Sequence, residues 1–169
     1  MDLRRIKLLR AACCAIGLAS LAAAQPGGEH RRDPRLAVKA IAEVLTRTSH
    51  NGREMTTLVD AGEVVPGDEV IYTLEIRNTS AIALPPPTVD YPVPEHMRYV
   101  ENSAIGAGAD VSFSVDGGRT FDHPEKLKLE GAAGERPATA ADYTHIRWQL
   151  RHILKGNSVA MAHFRAIVK

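Results

Sequence analysis

A single stretch decides the fold: Val64-Val65-Pro66-Gly67-Asp68-Glu69-Val70-Ile71-Tyr72-Thr73-Leu74-Glu75-Ile76-Arg77-Asn78-Thr79. Its Pro66-Gly67-Asp68 segment predicts a turn, because proline presets φ, glycine permits a positive φ and aspartate accepts neighbouring N–H groups. Apolar side chains then occupy every second position from Val70 to Ile76, and the positions between them become increasingly polar. This period of two predicts a half-buried antiparallel strand.

Residues 1–24 have the plan of a secretory signal peptide. Four basic residues come first, and an almost uninterrupted run of apolar and small residues follows from 11 to 23. The run ends in Ala22-Ala23-Ala24, which is typical of a cleavage site and predicts a mature N-terminus at Gln25. The apolar run is short for a membrane span, and an uncleaved N-terminal anchor is the alternative.

Removal of residues 1–24 changes the charge and the cysteine content of the chain. The full sequence has 21 Lys+Arg and 20 Asp+Glu; the segment holds four basic residues and one acidic, which leaves 17 and 19 and a net charge of −2. A mildly acidic chain argues against nucleic acid as a partner. Both cysteines, Cys13 and Cys14, leave with the segment, so the mature chain has no disulfide and no thiol ligand.

The mature chain is predicted to be a flexible leader, residues 25–35, followed by one domain, residues 36–169. The domain contains about eight or nine short alternating segments, with turn signals roughly every 8–12 residues. Residues 36–47 fit both a strand and an amphipathic helix, and the surrounding strands favour the strand. The pattern predicts an all-β sandwich with Greek-key connections.

The strongest strands predict the core, and two further segments predict its edges. The apolar positions of those strands are Tyr72, Leu74, Ile76, Phe113, Ile146, Trp148 and Phe164. Residues 88–94 resemble an edge strand, because their prolines lack the N–H group that a central strand donates. Residues 131–141 are small and polar and predict a long loop.

Several motifs together resemble the bacterial conserved-repeat surface domain, which is catalogued as domain of unknown function 11. The matching positions are Pro66, Gly67, Asp68, Tyr72, Asn78, Asp90, Pro92, Trp148 and Gly156. Residues 95–100 stand in for the family's Asp-x-Pro-x-Gly-Leu-x-Tyr-Val block, without its glycine. The resemblance covers residues 36–169 and implies an immunoglobulin-like sandwich on an exported protein. It implies no catalytic residue, and the chain carries a single copy where most relatives carry tandem repeats.

A second motif lies between two of the predicted strands. Its pattern, Ser-x-Asp-x-Gly-x-Thr-aromatic, is that of the Asp-box hairpin, which β-propellers repeat several times, and its residues are Ser114, Asp116, Gly118, Thr120 and Phe121. We expect the carboxylate to accept turn N–H groups, the glycine to adopt the unusual φ and the aromatic ring to enter the core. The Asp box stabilises a fold and is not itself an active site. A glycosidase would also require a matched pair of carboxylates.

Metal ligands and catalytic groups are suggested only weakly by the sequence. His145 and His163 lie on the polar faces of two predicted strands, and a two-histidine site requires those strands to be neighbours. Asp110, Asp116 and Asp122 would supply oxygen ligands for a Ca²⁺ ion in the loops, although they lack the dense Asp/Asn spacing of a dedicated calcium loop. Whether a metal is bound is left open, no cofactor is expected, and no nucleophile elbow or phosphate loop is present.

The function expected from the sequence is therefore that of an exported, non-enzymatic structural or interaction module. Its location would be the periplasm, the cell surface or the medium of a bacterium, and its partner an unknown envelope or surface protein. The edge strands or residues 85–94 would form the contact. The alternative is a Ca²⁺- or Zn²⁺-binding envelope protein, or an enzyme built from loops around Asp116, His123 and His145.

Overall fold

The computed structural model describes the backbone of residues 6–7, 33–50, 53–106, 108–131 and 134–169. It describes their side chains except at 6–7 and 45–57. The predicted signal segment, apart from residues 6–7, and most of the predicted leader lie outside the described residues. The cleavage site and the new N-terminus at Gln25 therefore stay predictions.

The larger of the two main sheets contains six antiparallel strands. They are β2 (Leu36–His50), β3 (Arg53–Asp60), β5 (Glu69–Asn78), β7 (Met97–Tyr99), β8 (Ile105–Gly106) and β13 (Val159–Val168). The order across the sheet is β3-β2-β5-β13-β7, with β8 also paired to β13. The predicted strand is β5, whose alternate residues are buried from Val70 to Asn78. It lies between β2 and β13 at the centre of the sheet.

The smaller main sheet contains three strands, which are β6 (Thr88–Pro92), β9 (Ala109–Ser114) and β12 (His145–Leu150). β12 is central, and it pairs with β6 on one side and with β9 on the other. Its Ile146, Trp148 and Leu150 are buried, whereas the residues between them are partly or fully exposed. This sheet therefore presents one apolar face to the larger sheet and one polar face outward.

Two small pairs of strands complete the fold. One is formed by β1 (Ile6–Lys7) and β4 (Glu63–Val64), and the other by β10 (Lys128–Gly131) and β11 (Gly134–Pro137). A 3₁₀ turn at Pro124–Lys126 precedes β10. Because β1 lies within the predicted signal segment, a mature chain that starts at Gln25 would lack this strand.

The core lies between the two main sheets, and all seven predicted core residues are buried. Tyr72 of β5 stacks on Phe164 of β13 with ring centroids 4.9 Å apart, and Trp148 of β12 approaches Phe164 from the opposite sheet at 6.1 Å. Phe113 and Tyr143 stack at 4.4 Å, and Tyr99 lies 5.1 Å from Phe113. Aromatic contacts of this kind join the sheets across the whole sandwich.

The seven principal strands divide four and three between the sheets. Lettered in chain order, β2, β5, β6, β7, β9, β12 and β13 are A to G, and the sheets are A-B-G-D and C-F-E. A constant-type immunoglobulin domain has A-B-E-D and C-F-G. The division is thus shared, but the fifth and seventh strands have exchanged places.

The structure confirms the all-β sandwich. It also confirms the strand favoured for residues 36–47, since they belong to β2. The long loop predicted over 131–141 is wrong in part, because Gly134–Pro137 pairs with Lys128–Gly131 in a two-stranded hairpin.

Candidate functional site

A groove runs along one side of the sandwich, between β2 of the larger sheet and β6 of the smaller one. Its volume is about 570 Å³, and its walls include Leu36 and Val38 on one side and Pro85–Pro87 and Tyr91 on the other. It exists because the smaller sheet has three strands and ends at β6, whereas the larger sheet continues to β2 and β3. We call it the β2/β6 groove.

The β2 wall presents side chains that point inward but are not covered. Val38 lies opposite Ile76 and Ala40 opposite Leu74, and both partners are fully buried on the inner face of β5. Val38 and Ala40 share that face, yet Val38 is 43% exposed and Ala40 is also exposed. Among the described residues, the inner face of β2 is therefore uncovered at these two positions, whereas Leu36, Ala42 and Val44 are partly buried against the core.

The β2 wall also has an unpaired backbone edge over part of its length. β3 pairs with β2 only from Glu43 onward, whereas β5 pairs with β2 from Leu36 to Val44. The outer edge of residues 36–42 therefore has no neighbouring strand among the described residues. Unpaired edges of this kind are templates for pairing with another chain.

The opposite wall is formed by β6, which is the edge strand of its sheet, as the prolines predict. Pro85 and Pro86 are exposed and Pro92 ends the strand. Asp90 projects from the outer face and binds Arg147 through two hydrogen bonds of 2.6 and 2.8 Å. The Arg147 guanidinium also lies 3.7 Å from the centroid of the Phe121 ring, which fixes β6 against β12 and the Asp-box turn.

Two tyrosines lie at the inner end of the groove. Tyr91 lines it, and Tyr72 packs behind Tyr91 with ring centroids 6.4 Å apart. Burial, with a smaller contribution from Tyr91, raises the pKa of Tyr72 to about 12, and burial also raises the pKa of Tyr91. The Tyr72 hydroxyl has no hydrogen-bond partner among the described residues, so neither phenol is prepared to act as a base.

The Pro66-Gly67-Asp68 segment forms the turn that leads into β5. The Asp68 carboxylate accepts a hydrogen bond of 2.8 Å from the Val65 N–H group. The Gly67 N–H group donates to the Val168 carbonyl oxygen, and the Val168 N–H group donates to the Asp68 carbonyl oxygen. The turn therefore joins the start of β5 to the end of β13, which is a structural task.

Asn78 and Gly156 hold together the loops at the opposite end of β5. Asn78 is fully buried, and its side-chain amide donates to the carbonyl oxygens of Ile82, Leu154 and Lys155 at 2.7–3.1 Å. A Cβ atom at Gly156 would clash with the Ala81 carbonyl oxygen. Both positions are thus fixed by close packing of two loops and leave no group free for chemistry.

The Asp-box residues form one network of hydrogen bonds. Asp116 Oδ1 accepts from the Arg119 and Thr120 N–H groups at 3.1 and 3.0 Å, and Asp116 Oδ2 accepts from the Thr120 hydroxyl at 2.7 Å. The Ser114 hydroxyl donates to Asp116 at 2.7 Å and accepts from the Gly118 N–H group. Gly118 has a φ of +84°, which side chains rarely adopt.

This network lowers the pKa of Asp116 and corrects the place expected for Phe121. Partial burial opposes ionisation of Asp116, but the hydrogen bonds from Thr120, Ser114 and Arg119 outweigh it and bring the pKa to about 2. Phe121 does not enter the core, because its ring is half-buried beneath the Arg147 guanidinium. The Asp box therefore stabilises the turn after β9 through its hydrogen bonds.

The histidine pair suggested as a metal site is not brought together. His145 lies on the outer face of the smaller sheet, since its neighbour Ile146 is buried, and His163 lies on the outer face of the larger sheet, next to the buried Ala162 and Phe164. The whole sandwich separates them. Among the described residues, no group of three or more His, Cys, Asp or Glu side chains could hold a metal ion.

The charged side chains around these strands are used in ion pairs. Asp110 binds Arg151, whose hydrogen bond lowers the pKa of the carboxyl, and Asp122 binds the His123 N–H group. Arg165 binds Glu69 on the larger sheet, at 2.8 Å. Arg147, Arg151 and Arg165 each have an acidic partner, so they do not form an unpaired basic surface.

A second cavity, of about 490 Å³, lies between the Asp-box turn and β10. Val115, Phe121 and Leu129 line it together with lysine and carboxylate side chains. Its carboxylate Asp116 is already occupied by four hydrogen bonds. We therefore regard the β2/β6 groove, which has an uncovered apolar wall, as the candidate site.

The sequence pointed to part of this site. The prolines of residues 88–94 predict the edge strand, but no motif identifies β2 as the opposite wall. The available signal was the alternation of Leu36, Val38 and Ala40, which predicts an inward face without saying whether a strand covers it. Whether the inner face of β2 is covered depends on the number of strands in the facing sheet. The alternation within β2 does not indicate that number.

Comparison with protein-family models, with curated proteins and with solved structures finds no match to this chain. In the part of the chain that the structure describes, no helix has the length and hydrophobicity needed to cross a membrane.

Proposed function

We propose that this protein is an exported, non-enzymatic interaction module of a bacterial envelope or surface, which binds an extended segment of a partner protein in the β2/β6 groove. The N-terminal segment with its small-residue cleavage motif supports export. The resemblance to the bacterial conserved-repeat surface domain supports a binding role without chemistry. The groove supports the mode of binding, which is addition of a strand to an open edge.

One observation carries this proposal. Val38 points between the sheets but is 43% exposed, because β6 is the last strand of the smaller sheet. Apolar inner positions of a sandwich are normally covered by the facing sheet. An added extended segment would cover Val38, and it would contact the apolar wall of Pro85–Pro87 and Tyr91.

Selection of peptides from a displayed library tests the proposal. We expect short extended peptides to be enriched, and we expect Val38→Asp to abolish their binding, because the carboxylate would be buried without a partner. Met161→Asp is the matched control, since Met161 is also 43% exposed but lies on the outer face of the larger sheet. Thermal unfolding of both variants would verify that they fold.

A second measurement does not depend on any variant. Amide chemical shifts of the wild-type protein, recorded with an enriched peptide, should change at Val38, Ala40 and Tyr91 and remain constant at Met161. Peptides that bind Val38→Asp as well as wild type, or shifts confined to the outer faces, would contradict the proposed site.

A further inference from the structure

The open edge of β2 has backbone groups aimed into the space beside the groove. The Leu36 N–H group donates to the Asp33 carbonyl oxygen and the Ala42 carbonyl oxygen accepts from Ala61, both on the side away from β5. The direction of backbone groups alternates along a strand. The N–H and C=O groups of Val38 and Ala40, which lie between these two residues, therefore point the same way and have no strand to pair with among the described residues.

The facing edge, on β6, is a poorer template. β6 pairs with β12 through Thr88 to Pro92, and Pro92 has no N–H group to donate. Pro85–Pro87 precede the strand and prevent its extension in that direction. A segment that enters the groove therefore gains more backbone hydrogen bonds on β2 than on β6.

The charge at the centre of the β2 edge determines which segment fits. Lys39 is the middle residue of the free stretch 36–42, and it points outward because it lies between Val38 and Ala40. Glu75 of β5 lies directly opposite on the same face, but Lys39 is exposed and no salt bridge engages it among the described residues. A residue directly opposite on an added strand would share its face, where opposite charges attract and like charges repel.

The same lysine disfavours a second copy of this chain as the occupant. Two copies that pair antiparallel over the whole free edge are centred on residue 39, which places the two Lys39 side chains directly opposite each other. Lysine on an edge strand is a common protection against such self-association. The free edge therefore disfavours pairing with a second copy of this chain.

From this arrangement we infer that the partner segment pairs with β2 and alternates apolar residues, which face Val38 and Pro86, with an acidic residue opposite Lys39. The inference rests on the proposed function and adds the chemistry of the partner to it. The segment would extend the larger sheet beyond β2, with its apolar face beside Val38 and its acidic residue beside Lys39.

Two synthetic peptides of about seven residues test the inference, one alternating valine with glutamate and the other alternating valine with lysine. We expect the acidic peptide to bind the protein about three- to fivefold more tightly in a fluorescence anisotropy titration. Lys39→Glu should reverse the order. Arg98→Glu, which makes the same change of charge on β7 at the other edge of the larger sheet, should leave the order unchanged.

Hydrogen exchange identifies the edge that is used. With the acidic peptide bound, the amides of Val38 and Ala40 should exchange more slowly, while those of Thr88 and Asp90 are unaffected. Equal affinity for the two peptides, protection at β6, or a peptide-free dimer protected at Val38 would overturn the inference. Binding of either peptide that Val38→Asp abolishes would still support the proposed function, whereas no binding of any extended peptide would contradict both.

Discussion

Gly156 is the position where two loops of the sandwich approach most closely. A Cβ atom there would clash with the carbonyl oxygen and carbon of Ala81, so the backbone would have to move. Moving it would also strain the hydrogen bond from the Asn157 N–H group to the Ser80 carbonyl oxygen and the nearby amide of Asn78. Small residues at such contacts cannot be enlarged without cost.

We therefore expect Gly156→Ala to lower the free energy of unfolding by about 3 kcal/mol or more, at the upper end of the usual cost of overpacking. Urea unfolding monitored by Trp148 fluorescence measures it. Gly62→Ala is the matched control, because nothing lies within 4 Å of a Cβ atom at Gly62, and it should change stability by less than about 1 kcal/mol. Equal effects of the two substitutions would contradict the close contact.

The titration of Asp116 gives a prediction for the dependence of stability on pH. Partial burial works against the charge, but the hydrogen bonds of the Asp box outweigh it and lower the pKa from 3.8 to about 2 in the folded protein. A lowered folded-state pKa stabilises the fold above the unfolded-state value, and this contribution is lost as the carboxylate becomes protonated. The loss should therefore occur between about pH 4 and pH 2.

Asp116→Asn isolates this contribution, because its side chain does not titrate. The difference in unfolding free energy between wild type and Asp116→Asn should be constant above about pH 5 and decrease from pH 4 towards pH 2. Urea unfolding at a series of pH values measures the difference and cancels the contributions of the other carboxylates. A difference that remains constant down to pH 2 would mean that Asp116 keeps an ordinary pKa.

The residue scale is where prediction from sequence succeeded best. Tyr72, Phe113 and Trp148 were placed in the core by alternation alone, and all are buried. Phe121 was misplaced, because the motif fixes the turn but not what lies beside the ring, and Arg147 occupies that space. Local chemistry determined which residues turn and which face inward, whereas contacts between distant segments were not encoded in any single stretch.

At the scale of elements, β10 and β11 are strands that the alternation of apolar and polar residues does not predict. Gly134–Pro137 has no sizeable apolar side chain and all four of its residues are exposed, so no alternation marked it as a strand. It is strand because it pairs with β10, and no strand of the main sheets pairs with either. A two-stranded ribbon without a covered face is only marginally stable.

Hydrogen exchange should therefore separate this hairpin from the main sheets. We expect the amides of β10 and β11 to exchange by local opening, orders of magnitude faster than those of β5 and β12, which lie at the centres of their sheets. Exchange followed by NMR measures both groups in one sample. Protection of β10 equal to that of β12 would mean that the hairpin opens only with the whole domain.

The assignment of strands to sheets was the part of the element scale that sequence could not provide. β12 and β13 are consecutive and both alternate, which made His145 and His163 plausible neighbours. They belong to different sheets, because the loop that contains Leu154 and Gly156 crosses the sandwich. Because this loop passes from one sheet to the other, the two imidazoles lie on opposite outer faces. Alternation of apolar and polar residues does not indicate whether two consecutive strands belong to the same sheet.

At the scale of the whole molecule, the groove is a consequence of unequal sheets. The larger sheet continues past β5 to β2 and β3, whereas the smaller sheet ends at β6. The larger sheet therefore extends past the smaller one at β2, and the uncovered apolar side chains of β2 form the interaction surface that we propose. Substitutions that place larger apolar side chains on this exposed face of β2 should change peptide binding more than the free energy of unfolding.

Processing of the N-terminus is the last prediction, and it concerns the chain as a whole. If residues 1–24 are a signal peptide, mass spectrometry of the protein recovered after export should show a mass that begins at Gln25. Cleavage would remove Ile6–Lys7 and its two-residue pairing with β4. Because β4 also packs Val64 into the core, we expect the processed protein to keep the thermal unfolding midpoint of the uncleaved chain. A mass that retains Met1 would indicate an N-terminal anchor, and a large drop in the midpoint after cleavage would mean that β1 is part of the domain.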